Sequence, residues 1–158
     1  MKMIRLVETQ LEHKELLWNL YQKYCHELTK YYDNEMDETG NYPYRYFDAY
    51  FTEPERKALL FYDDSQLVGF TMINPYSFIG EKPDYVVAEF TIFPRYRNKH
   101  MASQVVEAMF QQYPGNWELK YSQKNAAAEG LWNKVTAQYH PRTHLCEDDE
   151  VVLAFCTK

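Results

Sequence analysis

The stretch from Tyr85 to Gln112 reads YVVAEFTIFPRYRNKHMASQVVEAMFQQ. Its first nine residues, 85–93, are rich in β-branched and aromatic side chains, which is typical of a strand. Pro94 ends this strand, and a short basic turn follows at residues 95–100. From Met101 onward the apolar side chains recur every three or four positions, which predicts an amphipathic helix. The stretch therefore predicts a strand, a tight turn and the first turn of a helix.

A turn of this kind is a candidate anion site. The first amides of a helix have no partners within the helix, and the helix dipole adds partial positive charge at that end. Basic side chains reinforce the turn here, namely Arg95, Arg97, Lys99 and His100. Phosphate or pyrophosphate is the natural ligand of such a site.

Composition limits the kinds of protein to which this site can belong. A chain of 158 residues is the size of one domain with a substantial core, so we expect a single domain over residues 1–158. The formal net charge of −6 argues against nucleic acid as a partner, because non-specific nucleic-acid binding needs a basic face. The basic turn is therefore a local feature of an acidic protein.

Further classes are excluded by what the sequence lacks. No apolar run approaches the roughly 20 residues of a membrane helix, and the first residues have no signal-peptide core. Three cysteines without a CxxC spacing favour reduced thiols in a cytoplasmic protein. The acidic run 33–38 lacks the terminal glutamate of a calcium loop, and Pro141 breaks the spacing of the metal-capable residues 140–146. We therefore expect no metal site.

Patterns along the rest of the chain predict alternating strands and helices. A strand at Lys2–Val7 precedes a long amphipathic helix over Glu8–Leu28, and the aromatic segment Asn41–Phe51 is typical of a second, short helix. We expect Phe47 and Phe51 in the core, whereas the tyrosines of that segment fit either the core or a substrate pocket. The remaining predicted elements are a hairpin of strands at 57–62 and 66–74, the strand at 85–93, the helix from 101, a strand at 117–122, a helix after Asn125, and one or two strands at 145–155.

Two segments resemble the GNAT superfamily of N-acetyltransferases. Residues 97–102, RNKHMA, fall where the family carries Arg/Gln-x-x-Gly-x-Gly/Ala, and residues 125–132, NAAAEGLW, resemble its Asn-x-x-Ala-x-x-Phe-Tyr segment. Gly69-Phe70 resembles a feature of the family's third strand, where glycine permits close backbone approach. The order of elements matches from end to end, and the Pro-Gly-x-Trp turn at 114–117 is similar to that of a bacterial subgroup of predicted acetyltransferases.

The resemblance implies an α/β (α+β) fold and a co-substrate. The fold is a mixed, mostly antiparallel sheet of six to seven strands with helices on both faces and a splay between the fourth and fifth strands. The co-substrate is acetyl-CoA, whose pantetheine arm would pair with the strand edge and whose pyrophosphate would lie on the amides of the turn. The cofactor-binding residues implied in this way are Phe90, Thr91, Ile92, Arg97, Asn98, Lys99, His100, Met101, Ala102, Ser103 and Asn125.

This chain differs from the family pattern at two positions. His100 replaces the glycine that lets the pyrophosphate approach closely, although amide donors do not depend on the side chain. Trp132 replaces the tyrosine that often protonates the leaving thiolate, and an indole cannot deliver a proton at neutral pH. Water, another tyrosine or unassisted departure of the thiolate would then replace it.

Two residues are candidates for the chemistry. Glu89 interrupts an otherwise apolar central strand, where a carboxylate is costly unless it has a partner or a function. It is either the general base or a carboxylate that pairs with a neighbouring cation or reaches solvent at the splayed edge. Tyr121, on the strand beside the splay, is either an acid or water-holding group or part of the core.

The sequence thus predicts an acetyl-CoA-dependent N-acetyltransferase in which the primary amine of an acceptor attacks directly in a ternary complex. The acceptor is a small molecule or a protein amine, and the acidic balance favours a cationic one. We expect no nucleic-acid or membrane partner, and a monomer or homodimer. The alternatives are a non-catalytic acyl-CoA-binding or regulatory module of the same fold, and an aromatic-pocket binding protein without a CoA site.

Overall fold

The computed structural model describes residues 3–158 of the chain, and within them it contains seven strands and three α-helices. The strands are β1 (Ile4–Glu8), β2 (Lys57–Asp63), β3 (Gln66–Asn74), β4 (Tyr85–Ile92), β5 (Asn116–Ser122), β6 (Arg142–Leu145) and β7 (Glu150–Cys156). The helices are α1 (Lys14–Leu28), α2 (Met101–Gln112) and α3 (Ala126–Thr136).

The strands form one mixed sheet in the order β1-β2-β3-β4-β5-β7-β6. Neighbouring strands are antiparallel except for β4 and β5, which are parallel. One face of the sheet packs against α2 and α3, and the other face packs against α1 and the aromatic segment that follows it. The predicted mixed, mostly antiparallel sheet with helices on both faces is confirmed.

The parallel pair of strands separates partway along its length. Pairing between β4 and β5 covers only Tyr85–Val87 and Trp117–Leu119, although β4 continues to Ile92 and β5 continues to Ser122. The edge of β4 from residue 88 onward therefore faces a gap instead of a neighbouring strand. This is the predicted splay between the fourth and fifth strands.

Two features of the backbone shape β4 beside this gap. Its register with β3 shifts between Met72 and Ile73, which leaves Ala88 as a bulged residue, and bulges commonly re-aim a strand beside a functional site. Thr71 of β3 supports the bulge, because its hydroxyl donates to the Glu89 carbonyl at 2.6 Å. Gly69 lets the two strands approach closely, since a Cβ there would lie 2.2 Å from the Thr91 carbonyl oxygen.

The loop between β3 and β4 is held by a buried carboxylate that sequence analysis did not single out. Glu118 of β5 is only 1 % exposed. It accepts hydrogen bonds from the Ser77 hydroxyl at 2.5 Å and the Phe78 amide at 2.7 Å. These bonds satisfy the buried charge and fix the loop against the sheet.

Several predicted elements differ from those in the structure. Lys2 lies outside the described residues, β1 extends to Glu8, and α1 begins at Lys14 after a short 3-10 turn. The short helix predicted at Asn41–Phe51 is wrong: only Asp48–Phe51 forms a 3-10 turn, because the backbone bonds there join residues three apart and no α-helical ladder forms. Phe47 is buried as predicted, Phe51 is partly exposed, and Tyr42 and Tyr50 are also buried.

Candidate active site

A groove of about 450 Å³ runs along the exposed edge of β4. Its walls are the C-terminal end of α1, the turn between β4 and α2, and the first half of α3. All the predicted cofactor-binding residues line this groove except Lys99, which is exposed outside it. The groove therefore gathers residues from three parts of the chain that are distant in sequence.

The turn at one end of the groove has the donors that an anion needs. Among residues 3–158, no protein acceptor takes a hydrogen bond from the backbone amides of residues 98–103. The first turn of α2 contains no acidic side chain that would compete with a bound anion. Free amides at the start of a twelve-residue helix are donors of the kind that phosphate prefers.

The backbone of this turn has the conformation that favours glycine. Asn98 and His100 both have positive φ, at 62° and 59°. Asparagine tolerates this left-handed conformation, whereas histidine is strained in it because its Cβ approaches the backbone. His100 is also the N-cap of α2, but its side chain makes no capping hydrogen bond. The turn thus adopts the left-handed backbone conformation that favours glycine, although neither residue is a glycine.

Arg97 uses its guanidinium to hold the walls of the groove together. Its Nη1 and Nη2 donate to the two carboxylate oxygens of Glu27 at 2.5 and 2.6 Å, and its Nε donates to the Ile92 carbonyl at 2.7 Å. Nη2 also lies 3.3 Å from the Thr91 hydroxyl. The Arg97 guanidinium therefore joins the last turn of α1 to the end of β4, and Glu27 balances its positive charge.

The charges of this pair shift each other's pKa in the expected directions. The hydrogen bonds from Arg97 hold the pKa of Glu27 below its ordinary value of 4.5, and Glu27 raises the pKa of Arg97. Sequence analysis missed Glu27. A signal was available, because a glutamate in the last turn of a helix faces the negative end of the helix dipole and needs a cationic partner.

A smaller groove of about 90 Å³ occupies the gap between β4 and β5. Six residues line both grooves and mark where they meet: Tyr24, Leu28, Phe90, Asn125, Ala128 and Trp132. Asn125 caps α3 by accepting a hydrogen bond from the Ala128 amide at 3.1 Å. The Trp132 indole is 5 % exposed and packs edge-on against Phe90, with ring centroids 5.0 Å apart.

The two candidate catalytic residues lie on opposite faces of the sheet. Glu89 pairs with Met72, whose side chain is in the core under α1, and it lines neither groove. Tyr121 belongs to the core under α2 and α3, lines the smaller groove, and lies 3.4 Å from the Asn133 amide nitrogen. The structure therefore does not bring the two side chains together on one surface.

Glu89 has an environment that favours its neutral form. Burial raises its pKa to about 7, although Tyr24 and Lys120 pull it in the opposite direction. Burial raises the pKa of nearby groups on α1 and in the segments that follow it, and the negative charge of Glu89 adds to the rise; these groups are Tyr21, Tyr24, Cys25, Tyr32 and Tyr44. A carboxyl group with a pKa near neutrality is suited to accept and return a proton.

Comparison with known proteins identifies relatives of this arrangement. The family model described as the acetyltransferase (GNAT) family matches residues 15–137. Comparison with curated protein sequences gives no match.

Solved structures have the same fold at low sequence identity. A GNAT-family acetyltransferase from Streptococcus agalactiae has a TM-score of 0.72 and 13 % identity, with 98 % of this chain and 96 % of that chain covered. Spermidine N-acetyltransferase from Vibrio cholerae, in complex with CoA and spermine, has a TM-score of 0.64 and 15 % identity over 96 % and 92 % of the two chains. An aminoglycoside acetyltransferase in complex with CoA and kanamycin has a TM-score of 0.70 and 8 % identity over 98 % and 95 %.

Residues 3–158 contain neither a cluster of side chains that could hold a metal ion nor a helix that could cross a membrane. Within residues 3–158, no group of three or more His, Cys, Asp and Glu side chains is placed to hold a metal ion. In the same residues, every helix is too short or too polar to cross a membrane.

Replacing Glu27 by Gln is expected to loosen the groove in a pH-dependent way. The variant should lose about 1 kcal/mol of unfolding free energy at neutral pH, because a bidentate pair is lost but both side chains are about a third exposed and screened. Since the folded pKa of Glu27 is lowered from 4.5, the pair stabilises the protein above that value, and its contribution disappears as the pH falls through the lowered pKa.

Urea unfolding of the two proteins across this pH range measures the difference. Glu81→Gln is the matched control, because it breaks a bidentate pair with Arg142 that is more exposed, and its effect should be smaller. An equal loss at both sites, or a Glu27 effect that persists at low pH, would contradict this interpretation of the Arg97–Glu27 pair.

Replacing His100 by Gly is expected to stabilise the protein. Left-handed strain costs about 1–2 kcal/mol for a side chain with a Cβ, whereas the added chain entropy of glycine costs about 0.4–1 kcal/mol. We expect a net gain on the order of 0.5–1 kcal/mol by urea unfolding. Asn98→Gly is the control and should gain less, because asparagine already tolerates its positive φ. A loss of stability in His100→Gly would mean that the histidine ring makes a favourable contact.

Proposed function

The chain belongs to the acetyltransferase (GNAT) family, and from this premise we propose that it transfers the acetyl group of acetyl-CoA to the primary amine of a small-molecule or protein acceptor. The observation that supports this most directly is the row of unpaired amides at residues 98–103, at the end of a groove that continues into the splay. A diphosphate needs such donors, and a pantetheine arm needs such a groove.

The groove fits the parts of CoA in order. The diphosphate lies on the amides of residues 98–103, where Lys30 and Lys134 add positive charge to the lining. The pantetheine amides lie along the edge of β4 that β5 leaves open, at Phe90, Thr91 and Ile92, where Arg97 already occupies the Ile92 carbonyl. Arg97 keeps α1 against β4 and so maintains the shape of the groove, because its guanidinium is hydrogen-bonded to the Glu27 carboxylate. The thioester then reaches the point where the two grooves meet.

Transfer requires positioning, removal of one proton from the ammonium before attack and of a second afterwards, and support for the negative charge on the thioester oxygen. The amine attacks the thioester carbonyl in a ternary complex, and amides of the β4 edge stabilise the developing oxyanion. Glu89 lines neither groove, so it accepts the first proton of the ammonium through water, as its pKa of about 7 allows. Tyr121 borders the smaller groove and holds water or substrate there.

The charge of the chain favours a cationic acceptor. The net charge is −6, and Asp33 and Glu35 are exposed in the loop after α1. Asp37 and Asp48 are less available, because Asp37 bonds its own loop and Asp48 pairs with Lys14 at 3.0 Å. Spermidine and aminoglycoside acetyltransferases among the similar structures act on amines, which is consistent with this class of acceptor.

Thiol release from acetyl-CoA with a panel of polyamines, aminoglycosides and peptides tests the function. The wild-type rate should rise with pH through about 7 as Glu89 loses its proton, and Glu89→Gln should lower kcat at least roughly tenfold and remove that rise, with CoA affinity nearly unchanged. Glu107→Gln, an exposed carboxylate on α2, is the control and should behave as the wild type.

The alternative outcomes separate the competing functions. Calorimetric binding of acetyl-CoA without transfer to any amine would favour a non-catalytic acyl-CoA-binding module. An unchanged pH–rate profile in Glu89→Gln would remove that residue from the role of base. Absence of CoA binding would contradict the proposed function altogether.

A further inference from the structure

We propose that Tyr24 of α1 is the proton donor to the departing CoA thiolate, and that Glu89 returns a proton to Tyr24 after each transfer. This inference rests on the proposed function and assigns a step that the family motif leaves without a residue in this chain. The family position for the acid holds Trp132, whose indole N–H does not ionise at neutral pH.

Tyr24 lies where the two grooves meet, which is where the proposed placement of CoA brings its sulfur atom. Of the six residues that line both grooves, it is the one with a hydroxyl group; the others are Leu28, Phe90, Asn125, Ala128 and Trp132. Asparagine can donate a hydrogen bond but does not give up a proton, so only Tyr24 is chemically able to act as an acid at this junction.

Packing fixes the Tyr24 ring in place. It meets Phe70 of β3 edge-on, with ring centroids 5.6 Å apart and planes at 78°, and it lies 6.2 Å from the Tyr21 ring. A tyrosine on a helix that is anchored at its end by the Arg97–Glu27 pair has little freedom to leave the junction. Such a position is what an acid needs to meet a leaving group.

Tyr24 packs on the same face of the sheet as Glu89, because it lies against the core that contains Met72, the β3 residue paired with Glu89. Burial raises the pKa of Tyr24 well above its ordinary value, and the Glu89 charge adds to this rise. The hydroxyl group is therefore a weak acid by itself, and it gives its proton to the thiolate only as the protonated Glu89 carboxyl, with a pKa of about 7, gives another to the Tyr24 oxygen. The net proton transfer then runs from a carboxyl group to a thiolate, which is the favourable direction.

The step balances in atoms and charge. The amine nitrogen forms a bond to the acetyl carbon, the C–S bond breaks, and the electron pair leaves on sulfur. The thiolate takes the Tyr24 proton to give free CoA. The first proton of the ammonium, held by Glu89, moves to the Tyr24 oxygen, and the second leaves the newly acylated nitrogen to water, so both residues return to their starting states.

The thiol pKa of bound CoA tests this without needing an acceptor. The ultraviolet absorbance of the thiolate is titrated for CoA bound to the wild type, to Tyr24→Phe and to Tyr46→Phe. A hydroxyl that donates to the sulfur stabilises the thiolate, so the bound thiol should titrate about one pH unit lower in the wild type than in Tyr24→Phe. Tyr46→Phe is the matched control, because Tyr46 is exposed and lines neither groove, and it should match the wild type.

Transfer kinetics provide the second measurement. Tyr24→Phe removes one oxygen atom and should lower kcat on the order of 10²-fold, with KM for the amine and calorimetric affinity for CoA unchanged. An equal thiol pKa in wild type and Tyr24→Phe, or an unchanged kcat, would overturn the role of Tyr24 and leave the proposed function standing. A chain that binds no CoA would overturn both, so the two failures are distinguishable.

Discussion

The separation of β4 from β5 is the constraint on which the rest of the structure depends. The parallel pairing ends at Val87 and Leu119, and beyond it a strand edge lies open inside the domain. Unpaired backbone groups within a protein are costly unless a partner satisfies them. The opposite edge of β4 carries no such cost, because its backbone groups pair with β3 as far as Ile92. An open edge that ends at a row of free amides is therefore a place for a ligand with amides and a diphosphate of its own.

The remaining elements keep that opening in a defined shape. The Arg97–Glu27 pair joins α1 to the end of β4, and Gly69 allows β3 to support β4 closely. On the other side of the gap, the buried Glu118 anchors the loop that leads into β4. The backbone strain of the site is confined to the turn, where Asn98 and His100 have positive φ. Strain at a ligand-binding turn, with rigid support around it, is the expected distribution for a preorganised site.

The features predicted correctly are those that depend on neighbours in sequence. The strand, turn and helix at residues 85–112 follow from local periodicity and from Pro94, and the free amides follow from the start of a helix. The features that were missed join distant residues: Glu27 lies 70 positions from Arg97, and Tyr24 meets Glu89 only because α1 crosses that face of the sheet. The helix predicted at 41–51 failed for a related reason, since its aromatic rings pack individually against α1 and leave no continuous helical ladder. Local patterns do not determine such contacts.

The most direct test of the central idea is an amide NMR titration of the ¹⁵N-labelled protein with CoA. We expect the amide resonances of residues 98–103 to move most, followed by those of the β4 edge at residues 90–92, and we expect a CoA fragment that lacks the diphosphate to leave the first group unmoved. If the amides of residues 98–103 keep their positions at saturating CoA while other resonances move, the diphosphate lies elsewhere and the account of this site is wrong.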